Sequence, residues 1–532
     1  MVRVIIRIIN PGAFIPKKRL VFMVIKVVLL LLFFAVTIFV GFYFRKRASS
    51  VNDFVLGGRE IGPWLSAFAF GTSYFSAVVF IGYAGQFGWR FGTSAIWIAL
   101  WNALFGSLAP WFILGRRTRV MTLHLKSSTM PEFFGSRFNS PALKISASII
   151  VFIFLIPYTA SLYNGLSRLF AMAFGIDFIY CIIGMAVLTG IYVVAGGYVA
   201  TAVNDFIQGI IMLVGISAVV LAVFKDNGGF VMALTSLAKV EEVNINGVPT
   251  PGILTSFFGP DPITVLGVAF LTSLGIWGLP QMVSKFYSIK SEKDISKGAI
   301  ISTIFAFVVS GGCYVTGSFG RLYGNVVERT SGGVIYDSVI PKMLEKFPDA
   351  LIGLVVLLVL SASMSTLSAL VMASSSTLTL DCLKGHIIKK MDDKKQLLIV
   401  RALIVVFIII SVIIAVLQYK KGIMFIAQLM GISWGALAGS FFAPFVFGLY
   451  WKRVSNLAVW CSFIFGTGLM TLNIFFRSSF PALMQSPINA GCVALIVGVI
   501  IVPVISMFSK APDKAIVDNC FSCYKETASG NL

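Results

Sequence analysis

The stretch Trp64-Leu-Ser-Ala-Phe-Ala-Phe-Gly71-Thr72-Ser73-Tyr74-Phe75-Ser76-Ala-Val78-Val79-Phe-Ile-Gly82 is apolar enough to enter a bilayer, yet carries a Gly-Thr-Ser interruption in mid-span. Such an interruption frees backbone carbonyls, and free backbone at membrane depth is tolerated only where it lines a cavity or is covered by protein. Further along, Leu274-Gly275-Ile-Trp277-Gly278-Leu-Pro280 interrupts a second apolar span with Gly and Pro. Two broken spans, five helices apart, are the mark of an inverted-repeat secondary transporter with its site near the midplane. The competing reading is that Gly and Pro, frequent in membrane helices, merely kink them.

Composition carries the membrane assignment. Of 532 residues, 58% are hydrophobic and 12% charged, with mean hydropathy +0.93, whereas soluble domains average about 25% charged residues. The formal charge of +21 reads as basic loops on one side of a membrane rather than as a nucleic-acid surface. The seven cysteines are scattered, and Cys520-x-x-Cys523 alone, without a second pair or histidines, is no zinc site. His124 and His386 both fall in basic loops and read as solvated.

A lead-in span covers 24–44, closed by Arg45-Lys46-Arg47, a basic stop rather than a cleavage site. Twelve more follow near 64–88, 95–115, 145–174, 177–195, 205–225, 263–285, 298–320, 348–380, 398–418, 424–450, 455–476 and 487–508, numbered here helices one to twelve. The expectation is an all-α polytopic membrane protein with about 13 transmembrane helices. Alternate loops collect Arg116, Arg117, Arg119 and Lys126, then Lys290, Lys293 and Lys297, then Lys384, Lys389, Lys390, Lys394 and Lys395, then Lys452-Arg453. That set marks the cytoplasmic side, with the N-terminus outside and the C-terminus inside the plasma membrane. Lys17-Lys18-Arg19 runs against this rule, unless Met23 is the true start or 1–22 lie at the interface. The tail after 509 leaves no room for an output or enzyme domain of ordinary size.

Helix eight contains Ser361-Ala-Ser-Met-Ser365-Thr366-Leu-Ser368, whose hydroxyls recur along one helix face, with no carboxylate before Asp381. Uncharged hard oxygens suit a weakly held monovalent cation, because a divalent ion recruits carboxylates. Small polar residues also let membrane helices approach closely, so the stretch alone leaves packing as an alternative.

Several anchors between Asp53 and Arg453 together resemble the sodium/solute symporters, including their proline, pantothenate and monocarboxylate transporter branches. They are Phe54-Val-Leu-Gly-Gly-Arg59 with Gly62-Pro63-Trp64, Thr129-Met-Pro131-Glu132-Phe with Arg137-Phe138, Gly196-Gly197-Tyr-Val-Ala200 before Asp205-Phe-Ile-Gln208, Met364-Ser365-Thr366-Leu367, and Leu449-Tyr-Trp451-Lys452-Arg453. The resemblance implies a LeuT-type 5+5 inverted repeat: an N-terminal segment (1–63), helices one to five (64–225), an external loop (226–262), helices six to ten (263–450), and two peripheral helices with a tail (451–532). It implies a sodium site between helices one and eight, from the backbone carbonyls of Thr72, Phe75 and Ala362 and the hydroxyls of Ser365 and Thr366. Some members place a second sodium at the aspartate matching Asp205, with the hydroxyl matching Ser368. Here Asn204 precedes the aspartate where threonine is frequent, and Asp205 could instead pair with a basic residue or cap a helix.

The implied solute contacts are Tyr74, Val78, Val79, Tyr158, Tyr163, Trp277 and Gln428, each also an ordinary packing residue. Sugar-carrying relatives have a Glu-Gln pair where this chain has Val78-Val79. Proline transporters have aspartate where it has Tyr74 and tryptophan where it has Val78. An apolar wall disfavours a polyhydroxylated solute, whose unpaired hydroxyls cost binding, and favours a small, partly apolar carboxylate or amino-acid-like compound. Half-helix N-termini could hold its carboxylate; Arg168 lies toward the outer end of helix three. The expected function is import of such a solute, coupled to Na+ by alternating access. The alternatives are a sugar or sialic-acid-type symporter and a sensor or channel-like protein without coupled transport. No catalytic residues are expected, and the partners are solute, sodium and lipid bilayer, with no nucleic acid and the oligomeric state open.

Overall fold

The computed structural model describes residues 17–47, 50–244, 246–330, 333–384, 387–388, 391–421 and 425–528; His386, Lys389 and Lys390 lie outside the described residues. Among the described residues ten helices are long and apolar enough to cross a bilayer, and the bent pair Pro262–Gly278 with Pro280–Tyr287, counted as one span, is an eleventh. One of these continuous stretches holds two expected crossings, and another holds the second half of helix one together with helix two. Phe178–Asp226 turns at Gly197, where φ is 62°, and Val78–His124 turns at Gly92, where φ is 58°. Positive φ is cheap only for glycine, so each glycine turns the chain at a point set by its backbone. The lead-in helix, Lys17–Tyr43, begins before the expected boundary.

Local signals place the ends. Helix three, Pro141–Phe174, opens on Ser140, whose hydroxyl accepts the Leu143 N–H, with Pro141 in the first turn, and stops at left-handed Gly175. Its lead-in turn, Met130–Arg137, is capped by Thr129. The Thr129 hydroxyl also donates to buried Asp381 at the end of helix eight, at 2.5 Å.

Helices one, three, five, six, eight and ten crowd around the centre, and glycines set their approach. A Cβ on Gly209 of helix five would lie 2.3 Å from Phe68 and 3.1 Å from Thr72 on helix one. A Cβ on Gly88 would lie 2.1 Å from the Gly317 backbone of helix seven. Opposite the basic loops, the segment 336–344 closes over helix one, with the Tyr336 carbonyl and Ile340 against Gly85. On the basic side the terminal helix Lys514–Ala528 docks under the bundle, where Tyr524 and Tyr450 sandwich the Arg117 guanidinium and Lys452 pairs with Asp518 at 2.7 Å.

Candidate ion and solute site

Helix one is regular from Pro63 to Tyr74 and ends at Phe75 (φ −101°, ψ 105°). The chain re-enters a helix through a π-helical turn, Val78–Tyr83. Between them Ser76 takes over two donors: Val78 N–H reaches its hydroxyl at 3.2 Å and Val79 N–H its carbonyl at 3.0 Å. In an unbroken helix those N–H groups would serve the carbonyls of Tyr74 and Phe75. The break therefore lies at Phe75–Ser76, past the Gly71-Thr72-Ser73 at which it is expected. Gly71 stays helical, and its missing side chain admits the Phe305 ring, which a Cβ would meet at 2.5 Å. Helix six breaks where expected: a tight turn over Gly275–Gly278 leads through extended Leu279 (φ −91°, ψ 120°) into Pro280–Tyr287, bent by 49°.

Helix eight faces the first break. The Ser365 hydroxyl donates to Thr72 O at 3.1 Å and Ala362 O at 3.2 Å. The Thr366 hydroxyl reaches Ala362 O at 3.0 Å, Thr72 O at 3.3 Å and Ser73 O at 3.4 Å. All of these side chains are buried. An ion with oxygens at about 2.3–2.6 Å, the range for a calcium-sized cation, sets ligands at right angles roughly 3.3–3.7 Å apart. The spacing here is close to that, and no carboxylate takes part. Thr72, Ala362, Ser365 and Thr366 thus meet, whereas Phe75 stands at the break with its ring stacked on Tyr74, 4.2 Å between centroids.

Asp205 and Ser368 are less closely tied. Ser368 donates back to Ser365 O at 2.8 Å. The Asp205 carboxylate, 1% exposed, has Lys285 Nζ at 3.8 Å. Lys285, in the second half of helix six, escapes notice in the sequence because it stands at the margin of the span ending at 285.

The solute candidates divide. Tyr74, Val78, Val79 and Tyr158 are buried around the break. The Tyr74 hydroxyl donates to Thr272 O of helix six at 2.6 Å, tying the two broken helices together. The Tyr158 hydroxyl faces Ser76 and the Trp434 indole. Tyr163 faces Thr189 of helix four. Trp277 donates its indole N–H to Phe105 O at 2.9 Å and sits against Phe442. Gln428 lies near the start of helix ten, 3.5 Å from Arg477. Trp434, unassigned from sequence, stacks on Tyr74 at 6.2 Å and meets Tyr158 edge-on at 6.0 Å; a lone Trp in an apolar span gives no signal to separate it from packing. Asn102 is likewise missed. It accepts from Thr272 at 2.9 Å and Ser273 at 3.1 Å on helix six and lies 3.5 Å from Ser310 of helix seven.

Residues 54–466 match the sodium:solute symporter family. The chain belongs to that family. It is 26% identical over 493 residues to the osmoregulated proline transporter OpuE of Bacillus subtilis (strain 168), covering 91% of this chain and 95% of that one. It is 29% identical over 440 residues to the sodium/proline symporter of Staphylococcus aureus (strain JH9), covering 81% and 82%. A solved structure described as the substrate-bound outward-open state of a Na+-coupled sialic acid symporter matches with TM-score 0.68, at 18% identity, over 92% of this chain and 99% of that one. At that identity the likeness speaks for the LeuT-type fold alone. The symporter is a multi-pass membrane transporter that couples a small solute to sodium.

Proposed function

We propose that this symporter imports a small, partly apolar amino acid or carboxylate, driven by sodium bound between helices one and eight. The ligands are the carbonyls of Thr72, Phe75 and Ala362 and the hydroxyls of Ser365 and Thr366. The observation that carries this is the convergence of the Ser365 and Thr366 hydroxyls on the Thr72 carbonyl beside the helix-one break. Sodium there joins the two repeats, 64–225 and 263–450, and raises solute affinity by linkage.

The solute lies beside Tyr74, Val78, Tyr158 and Trp434. This wall is aromatic and apolar, without a charged side chain among those four, so a carboxylate is held by N–H groups at the broken helix ends. The proline transporters among the relatives support an amino-acid-like solute; Tyr74 and Val78, where that branch carries aspartate and tryptophan, argue for a different side chain. The denser basic loops face the cytoplasm of the plasma membrane, with the N-terminus outside. Uptake of labelled amino acids, monocarboxylates and sugars into proteoliposomes, with and without an inward sodium gradient, tests the reading. Sodium-driven uptake of an amino acid or carboxylate is expected; uptake confined to sugars, or indifferent to the gradient, refutes it.

A further inference from the structure

Asp205 is a carboxylate buried in the bundle, and among the described residues neither of its oxygens accepts a hydrogen bond. A buried, unpaired carboxylate is strongly unfavourable, and a cation close by relieves that cost. The structure supplies one covalently. Lys285 Nζ lies 3.8 Å from Asp205 Oδ2, with the two side chains 4% and 1% exposed. It also lies 5.1 Å from the centroid of the Tyr198 ring, a second feature that favours positive charge. The gap exceeds hydrogen-bond length, so the ammonium acts here as a point charge. Lys285, Tyr198, Ser284 and Ser368 line one narrow cavity on the basic side of the bundle. Ser368, the hydroxyl expected to complete a second sodium site, is turned to Ser365 O.

We propose that the Lys285 ammonium is a tethered cation that takes the place of a second sodium beside Asp205, so that the symporter carries one sodium per solute. The inference rests on the sodium site between helices one and eight and assigns what happens at the neighbouring one. A free cation at Asp205 would sit within about 5 Å of a fixed positive charge, which weakens it on the order of a hundredfold in a protein interior. The lysine is tethered to helix six and is not released into either compartment, so it adds no ion to the coupling.

The test counts sodium-22 bound at saturation by purified full-length protein, in wild type, K285M, D205N/K285M and S365A/T366V. One ion is expected in wild type, two in K285M, and one in D205N/K285M, where the carboxylate that recruits the second ion is gone. Two ions in wild type, or one in a folded K285M, overturns the proposal. Should K285M not purify as a folded protein, the wild-type count decides. Half-saturation of sodium-22 binding unchanged in S365A/T366V places the sodium elsewhere and refutes the helix-one and helix-eight site instead, so the two failures are distinguishable.

Discussion

The Thr366 hydroxyl lies 3.0 Å from the carbonyl of Ala362 on its own helix and 3.3 Å from the carbonyl of Thr72 across the interface. One side chain therefore spans both walls of the proposed ion site, and Ser365 repeats the arrangement one residue earlier. S365A/T366V removes both hydroxyls with little change in volume, so packing is largely kept. Sodium half-saturation of uptake is expected to rise by about tenfold or more, the size of losing two polar ligands. An unchanged sodium dependence in that variant removes these two residues from the ion site.

The contact of helix one with helix seven depends on two glycines. A Cβ on Gly88 would lie 2.1 Å from the Gly317 backbone, and one on Gly317 equally close to the Ala84 carbonyl oxygen. Backbone cannot rotate aside as a side chain can, so G88A should destabilise by about 1–3 kcal/mol. A Cβ on Gly184 of helix four would meet nothing within 4 Å, and G184A should change stability by no more than roughly 0.5 kcal/mol in the unfavourable direction. Melting of the two variants in detergent separates a packing role from a general intolerance of alanine; equal melting temperatures would contradict it.

The two breaks were legible for different reasons and to different accuracy. At helix six the Gly-Leu-Pro run removes a donor and fixes φ at one point, so the sequence locates the bend. At helix one Gly71 stays helical because its role is to admit Phe305, and the break falls instead where Ser76 offers its own oxygens to the N–H groups of Val78 and Val79. Serine is too common to signal that on its own. Ser365 and Thr366 could be placed because Met364-Ser365-Thr366-Leu367 resembles the family's sodium motif, and their helical spacing from Ala362 agrees with it. Trp434, Asn102 and Lys285 could not, because their partners lie on helices distant in sequence, and only packing brings them to Tyr74, Thr272 and Asp205.

Tyr74 bridges the broken helices, its hydroxyl donating to Thr272 O at 2.6 Å while its ring stacks near Trp434. Y74F keeps the ring and deletes the bond, leaving a buried carbonyl that still has its helical setting. A loss of about 1 kcal/mol is expected, read as a roughly fivefold rise in solute KM with sodium half-saturation less affected. A change confined to sodium half-saturation would place Tyr74 at the ion instead of the solute.

Asp337 gives a prediction in pH. In the loop before helix eight, its carboxylate accepts the Ile426 N–H at 3.2 Å, capping helix ten, and lies 4.0 Å from Arg168 at the outer part of helix three. Burial pushes its carboxyl up to about 6, with the Arg168 guanidinium and the Ile426 N–H pulling the other way. An unfolded aspartate titrates near 3.9, so between about pH 4 and 6 the folded chain holds a proton that the unfolded chain has released. This group therefore favours the folded state at low pH, and its contribution falls as pH rises toward and through 6, by at most about 3 kcal/mol. D337N keeps an acceptor for Ile426 N–H and carries no charge, so it should flatten that part of the slope. Thermal melts of wild type and D337N between pH 5 and 7 check it: the gap between them should widen in favour of D337N as pH rises, and parallel curves would show that Asp337 does not titrate there.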